Sequence, residues 1–344
     1  MVEVMSSTRI GNFVITALIL CAQTVSAQGV SPLCPPGSFN GLGQPDNTKI
    51  AQDACQKAID LFQYVAPQLG AIVAGGSATQ GFTGTLGGLG HFSVGIRGNA
   101  INGSLPDVDR VVPATRGAEQ STYTITDAAL GLPTGDVAIG LFNGLPLGIT
   151  HLGGLDLLVS AAYLPSYNNS SLDISIPSGS WKVGYGAKIG IIQESALTPG
   201  VSLSYLNREL PMVKVIGSSG DDRLVLDSLK ARTHSWRLVA GKGFLFLGGA
   251  AGIGRDTYDT DATISVNIAP RALTQGGSGG PIALTQKLSR TNIFGSLWIN
   301  TPVLKIVGEL GRVSGGEIPT YNQFSGPQAA DARTYGSVGL NLGF

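Results

Sequence analysis

The side chains best suited to acid–base chemistry are three histidines and one pair of adjacent aspartates. The histidines are His91, His151 and His234, and the aspartates are Asp221 and Asp222. A catalytic acid–histidine pair needs both groups within hydrogen-bond reach, and Asp221-Asp222 can face His234 from a predicted loop. The sequence contains no zinc-protease helix motif and no nucleotide-binding fingerprint. We therefore expect no enzymatic activity.

Two further groups of residues can bind a cation or form a crosslink. Asp256, Asp259 and Asp261 place three carboxylates close together, as calcium would need, but their spacing does not match a regular calcium loop. Cys34 and Cys55 are the cysteines that follow the leader described below, and two thiols in an exported chain most simply form one disulfide. No histidine lies near them in the sequence, and zinc needs four ligands. We expect a disulfide and neither a metal nor another cofactor.

The composition indicates an exported membrane protein without membrane-spanning helices. Charged residues make up 13 % of the 344 residues, and mean hydropathy is +0.22. The long apolar run lies within residues 1–27. These residues have the form of a signal peptide, with Arg9 before the apolar stretch and Val25-Ser26-Ala27 as the cleavage site. Net charge is zero and no basic block occurs, so nothing indicates nucleic acid as a partner.

Residues 28–90 are predicted to form a helical segment followed by a glycine-rich linker. Apolar residues recur at three- and four-residue spacing over residues 46–69, and Asp53, Lys57 and Asp60 lie on the opposite face. Gly70 is expected to end the helix, and residues 70–90 have no clear period. The helix either acts as a plug, inside a barrel or across its mouth, or packs on a small periplasmic knob.

From residue 91 onward, apolar residues alternate with small or polar ones, as in strands with one apolar face. The ten alternating segments are residues 91–102, 134–143, 154–164, 180–191, 200–211, 223–241, 244–262, 284–300, 303–314 and 333–344. Connections after the even-numbered segments are short, and those after the odd-numbered ones are mostly longer. This arrangement is typical of a transmembrane barrel with both termini on the short-turn side. Residues 121–129 can add a strand pair and raise the count to twelve.

The last ten residues carry the clearest resemblance to a known class. Val338, Leu340, Leu342 and Phe344 share one parity, and the sequence ends on the aromatic residue. This resembles the closing strand of Gram-negative outer-membrane β-barrels, where such residues are the assembly signal. Residues 182–208 and 235–257 are similar to uncharacterised exported bacterial barrel families, which share remote likeness with porin-like and long-chain fatty-acid transporter-like barrels. The fatty-acid transporters have more strands than the ten predicted here.

Charged residues of the inward parity define a candidate lining for the lumen. By this assignment they are Arg97, Asp156, Lys182, Lys188, Arg237, Lys305 and Glu309. Five cations against two anions would favour anionic solutes by electrostatic focusing. Alternatively, these charges pair with one another, or with Asp53 and Asp60 of an inserted helix, and stabilise a closed interior. A barrel of about ten strands is narrow, which favours the closed interior.

The sequence thus predicts an all-β fold, a transmembrane antiparallel up-and-down barrel of about ten strands over residues 91–344. We expect it in the outer membrane of a Gram-negative-type bacterium, with lipid and the barrel-assembly machinery as partners. One function is a channel or transporter for small solutes or apolar molecules, occluded by residues 28–90. The other is a closed barrel that acts through its long loops. A soluble secreted β-protein is a third interpretation, and it requires the apolar faces to meet a second sheet.

Overall fold

The structure, a computed structural model, describes residues 29–39, 47–108, 113–168, 172–270 and 276–343. The predicted leader lies outside these ranges. Among the described residues, one helix, α1 (Asn47–Ala74), precedes sixteen strands. In chain order the strands are β1 (Phe92–Pro106), β2 (Thr122–Phe142), β3 (Leu145–Leu147), β4 (Thr150–Leu152), β5 (Gly154–Tyr163), β6 (Tyr167–Asn168), β7 (Leu172–Ser175), β8 (Trp181–Ile192), β9 (Gly200–Glu209), β10 (Val213–Ser219), β11 (Asp222–Phe244), β12 (Leu247–Ile268), β13 (Gly277–Asn300), β14 (Lys305–Val313), β15 (Gln323–Ser325) and β16 (Arg333–Gly343). No helix in this described part is long and apolar enough to cross a membrane.

Ten strands close into one antiparallel ring. They are β1, β2, β5, β8, β9, β11, β12, β13, β14 and β16. The first and last strands complete the ring, since Val94 of β1 lies opposite both Val137 of β2 and Leu342 of β16. Each ring strand therefore has two partners and no edge is left unpaired, as a lipid environment demands. The predicted barrel of ten strands is confirmed, and residues 122–129 extend β2 instead of adding a strand pair.

The remaining strands lie at the two ends of the ring. At the long-loop end, β10, β7 and β6 continue the sheet beside the outer part of β11, and β15 pairs in parallel with β2. At the short-turn end, β3 and β4 form a small hairpin between β2 and β5.

Outward side chains form an apolar belt on the short-turn half of the barrel. Leu297 is 74 % exposed, and Ile96 and Leu310 are each 66 % exposed, although all three sit in regular strands. A continuous apolar surface of this kind requires lipid. Along β11 the belt runs from Trp236 to Phe244, about 26 Å at about 3.3 Å per residue.

Aromatic pairs lie at the edge of this belt that is nearer the long loops. The rings of Tyr163 and Trp181 lie 4.8 Å apart, as do those of Tyr205 and Trp236. Such positions are typical of the membrane interface. By contrast, Trp298, near the short-turn end of β13, is buried inside the barrel. Its parity is inward because β13 pairs Trp298 with Gly248 and Val307, which also face the interior.

Helix α1 lies inside the ring. Ala71, Ile72, Val73 and Ala74 belong to one packed cluster with inward residues of eight ring strands: Ile101, Leu132, Ala162, Ala231, Tyr258, Phe294, Val313 and Tyr335. The expected end of the helix at Gly70 is wrong. Gly70 lies within the helix and packs directly on the Tyr258 ring, where a side chain would collide. The glycine at this position therefore serves packing and does not end the helix. The helix ends one turn later at Gly75-Gly76, and Gly76 adopts the left-handed conformation (φ +67°) that often terminates helices.

The chain enters the ring at the long-loop end and crosses to the short-turn end. Asn47 lies against Gly277 at the start of β13, Gly70 lies beside Tyr258 in mid-barrel, and Gly88 lies against Gly140 near the end of β2. We call residues 47–90 the internal segment and its non-helical part, residues 75–90, the connector. Residues 29–39 pack on the first turns of α1 and lie at the long-loop end, whereas both ends of the barrel lie at the short-turn end, as predicted, since Ser93 of β1 pairs with Gly343 of β16.

Candidate functional site in the barrel interior

The outer half of the internal segment is held by apolar packing and one crosslink. Ile50, Ala54, Ala58 and Phe62 pack in one cluster with inward residues of β11, β12 and β13. The predicted disulfide joins Cys34 to Cys55 and so ties residues 29–39 to α1. This half resembles the core of a soluble domain, with apolar side chains from the helix and the strands excluding water together.

The polar face of α1 anchors two of the long loops. Asp53 pairs with Lys57 and accepts hydrogen bonds from the backbone N–H groups of Ala114 (2.7 Å) and Glu119 (2.9 Å). Asp60 accepts hydrogen bonds from the N–H groups of Tyr321 and Asn322 and from the Asn322 side chain. All three charged side chains are buried.

These contacts place the polar residues of α1 at the level of the loops, outside the apolar belt. There, burial raises the pKa of the Asp60 carboxyl above its usual range, and the hydrogen bonds from Asn322 and Tyr321 oppose that shift. The polar face of α1 therefore binds loops that fold over the outer mouth of the barrel.

Three arginines converge on the carboxyl end of α1 in mid-barrel. Arg97 donates to the Gly75 carbonyl (2.7 Å), and Arg237 donates to the Ala74 carbonyl (2.7 Å). Arg208 donates to both of these carbonyls and to those of Val73 and Gly76, over 3.1–3.3 Å. The last carbonyls of a helix lack partners within it and carry the negative end of its dipole, so cations stabilise them. We call Arg97, Arg208 and Arg237 the arginine cluster.

Two members of the arginine cluster are neutralised by carboxylates, and the third is not. Arg97 pairs with Asp136 (2.8 Å), and Arg237 pairs with Glu309 (2.9 Å). Arg208 forms its side-chain hydrogen bonds with carbonyls of the internal segment, and its Nε is buried without a partner among the described residues. The charge of Arg208 is therefore balanced locally by the end of α1.

The connector continues toward the short turns through polar contacts with the wall. Lys305 donates to the Gly81 carbonyl (2.6 Å) and lies 3.6 Å from the Phe82 ring centre, while Lys188 donates to the Phe82 carbonyl (2.6 Å). Asp156 accepts a hydrogen bond from the Leu86 N–H. Side chains of the wall thus bind the backbone of the connector along its length.

Inward glycines make room for the connector. A side chain at Gly200 would begin 2.5 Å from the Thr83 hydroxyl, and one at Gly140 would begin 2.4 Å from the Gly88 carbonyl. Both distances are well inside van der Waals contact. These strands can therefore hold the connector only because they carry glycine at these positions.

Little space remains beside the seated connector. A cavity of about 20 Å³ lies between residues 77–83 and the wall formed by β8, β9 and β11 to β14, which is room for about one water. A wider recess of about 200 Å³ opens at the short-turn mouth, beside Gln193, Glu194 and Lys305. At the level of residues 77–83 the interior is filled.

The structure brings six of the seven predicted lining residues into the interior. Arg97, Asp156, Lys188, Arg237, Lys305 and Glu309 are buried or largely buried against the internal segment. Lys182 lies at the outer rim, 42 % exposed, and pairs with Glu209 (3.3 Å).

Sequence reasoning missed Arg208, Asp136 and Asp256, which are also inward and buried. The signal for Arg208 was present, since it shares its parity with Ser202, Ser204 and Leu206, small or apolar residues of one face. Val338, Leu340 and Leu342 face outward, and Phe344 lies outside the described residues.

The acid–base and cation hypotheses are not supported by the positions of their residues. Asp222 begins β11, twelve residues before His234 on the same strand, which is about 40 Å at about 3.3 Å per residue. His234 faces outward, where its ring lies 3.0 Å from the Tyr205 hydroxyl and 3.9 Å from the Asp259 carboxylate. Asp256 faces the interior, whereas Asp259 faces outward toward Lys287 (3.6 Å), so the three carboxylates of the cation hypothesis do not converge.

The closed ring and its apolar belt define a bacterial outer-membrane β-barrel. No protein-family model matches the sequence, and no curated protein matches it. Similar solved structures include Ail, the attachment invasion locus protein of Yersinia pestis, in complex with the heparin analogue sucrose octasulfate. That alignment has 8 % identity and a TM-score of 0.27 and covers 74 % of this chain and 99 % of Ail.

Two channels are also similar. The CymD monoaromatic hydrocarbon channel has 10 % identity and a TM-score of 0.23 over 74 % of this chain and 89 % of CymD. The outer membrane channel DcaP of Acinetobacter baumannii has 9 % identity and a TM-score of 0.19 over 74 % of this chain and 96 % of DcaP. Identities and TM-scores are low, so the fold assignment depends on the strand ring itself.

Proposed function

We propose that this protein is an outer-membrane pore for small solutes, closed by residues 29–90 acting as a plug. In this proposal the short turns face the periplasm and the long loops face the exterior, as in other barrels of this class. The barrel-assembly machinery would bind the last strand, where Val338, Leu340 and Leu342 form the outward face. The plug would have to leave its seat, wholly or in part, before solute passes.

The observation that carries this proposal is the polarity of the wall behind the connector. Its inward side chains include Asn99, Thr134, Ser160, Ser202 and Asn341, and all five are buried. The hydroxyls of Thr134 and Ser160 and the Asn99 amide nitrogen have no hydrogen-bond partner among the described residues. Buried polar groups without partners are costly, and they would be hydrated if the connector moved away.

A closed barrel that acts through its loops is the second candidate, and a different observation favours it. Asp53 and Asp60 bind two long loops to α1, and the disulfide adds a covalent tie. These contacts build a folded cap from residues 29–39, helix α1 and two of the long loops. Such a cap suits a surface that contacts other molecules.

Single-channel recording in planar bilayers tests the proposal. The chain from residue 28 onward is compared with a chain that begins at residue 90, after heat-modifiable gel migration has confirmed that each is folded. We expect conductance steps that appear or enlarge on truncation, with reversal potentials that show anion preference. Silence from both folded proteins would overturn the pore and favour the closed barrel.

A further inference from the structure

Arg208 is a buried interior cation whose side-chain hydrogen bonds all go to the part of the chain proposed to move. Its two terminal nitrogens donate to the carbonyl oxygens of residues 73–76 at 3.1–3.3 Å, and its side-chain hydrogen bonds all go to these four oxygens. The side chain is 5 % exposed, and its Nε has no partner among the described residues. When the end of α1 leaves, this buried guanidinium loses every hydrogen bond that its side chain makes there.

The other two arginines of the cluster, Arg97 and Arg237, donate to carbonyls that Arg208 also contacts. The Gly75 carbonyl accepts from both Arg97 and Arg208, and the Ala74 carbonyl accepts from both Arg208 and Arg237. Three guanidinium groups therefore surround two adjacent oxygens. Asp136 and Glu309 each form an ion pair with one of them, and Arg208 is the member that forms no ion pair among the described residues.

We infer that the arginine cluster is a binding site for small oxyanions, namely carboxylates or phosphates, and that the end of α1 occupies it in the closed state. Guanidinium groups match carboxylate and phosphate oxygens in planar, bidentate geometry. An oxyanion supplies a full negative charge where the helix end supplies about half of one. The oxyanion therefore competes with residues 73–76 for the same donors and releases the plug.

This inference rests on the proposed function, because residues 74–76 occupy the guanidinium donors that the anion would use while the internal segment is seated. The cavity beside residues 77–83 holds about 20 Å³, which is about one water. Binding of the oxyanion and release of the internal segment are thus a single exchange. Oxyanions should open the barrel rather than enter it at rest.

Thiol accessibility in the folded full-length mature chain tests the exchange. Ala78→Cys places a reporter in the connector at a position that packs against Ala138, Leu158 and Leu206. Cys34 and Cys55 are paired, so the reporter supplies the free thiol from residue 28 onward. Its modification rate is measured in inorganic phosphate, in succinate and in sodium chloride of equal ionic strength, which controls for screening.

We expect phosphate or succinate to accelerate modification at least about tenfold over chloride. The acceleration should vanish in Arg208→Met and persist in Arg255→Met, a matched control on the outer face of β12 whose guanidinium contacts Ser289. Arg208→Lys replaces the methionine variant if that variant does not fold, and it should reduce the acceleration. Equal rates in all three salts, or acceleration that persists without Arg208, would overturn the site.

Bilayer recordings on the same proteins separate this inference from the pore. Accelerated modification with silent bilayers would support the oxyanion site and overturn the pore. Conductance steps that ignore both oxyanions would support the pore and overturn the site.

Discussion

Buried carboxylates of α1 carry much of the contact between the internal segment and the loops. Asp60 receives three hydrogen bonds from residues 321 and 322 and one from Gln56, and it is fully buried. Hydrogen bonds to a charged group contribute about 1.5–3 kcal/mol each, and removing the acceptor leaves the donors unsatisfied. The ordered conformation of residues 314–332 therefore depends strongly on the Asp60 side chain.

We expect Asp60→Ala to lower the free energy of unfolding by about 3 kcal/mol and to expose residues 314–332 to protease, since their N–H groups lose the acceptor. Guanidinium unfolding in detergent micelles and limited proteolysis measure the two effects. Asp331→Ala is the matched control, because that carboxylate is exposed and accepts one bond within its own loop. It should cost less than about 1 kcal/mol, and equal costs for the two variants would contradict the prediction.

Single glycines determine whether the connector can be seated. Gly200→Val should displace residues 75–90 while leaving the ring folded, since valine suits a strand but its Cβ would collide with Thr83. Protease cleavage within residues 75–90 should rise at least about tenfold in folded micelles. Gly98→Val is the control, because a Cβ at Gly98 meets nothing within 4 Å. Similar cleavage in both variants would show that the connector does not occupy this seat.

Among the elements, α1 depends on packing more than on its crosslink. Its apolar face contacts the inner wall from Ile50 to Ala74, whereas the disulfide holds residues 29–39 against its outer end. Reduction of the disulfide separates the effect of the crosslink from that of the packing.

Reduction of Cys34–Cys55 should make residues 29–39 cleavable while α1 stays protected, because the packing of α1 does not require the disulfide. Limited proteolysis of oxidised and reduced protein in intact micelles, followed by mass spectrometry, measures this. Rapid cleavage within residues 47–74 of the oxidised protein would place the helix outside the barrel and contradict the fold.

At the scale of the whole molecule, the apolar belt sets the depth of the barrel in the bilayer. Leu297→Arg should destabilise the barrel in lipid by about 2 kcal/mol, because it places a charge on the lipid-facing surface. Thr285→Arg lies on the same strand and face, beyond the belt and beside Asp261, and should change stability by less than about 0.5 kcal/mol. Unfolding in vesicles compares them, and equal effects would place the belt elsewhere.

The ring was predictable from the sequence, and the interior was predictable only in part. Alternation exposes one face of each strand to lipid and the other to the lumen, so the parity of Arg97, Lys188 and Glu309 followed directly. Gly70 was taken as a helix end because its contact with Tyr258 is a tertiary effect that local propensity does not contain. The partners of Arg208 are backbone carbonyls, which no side-chain pattern reveals.

The route of the internal segment constrains how the molecule is made. Residues 29–39 lie at the long-loop end, whereas Phe92 begins β1 at the short-turn end, and residues 47–90 span the lumen between the two ends. A helix about 10 Å or more across must reach the far side of the membrane before the seam between β1 and β16 closes, or pass through the finished ring. Closure of this seam, in which Val94 pairs with Leu342, therefore also encloses the internal segment.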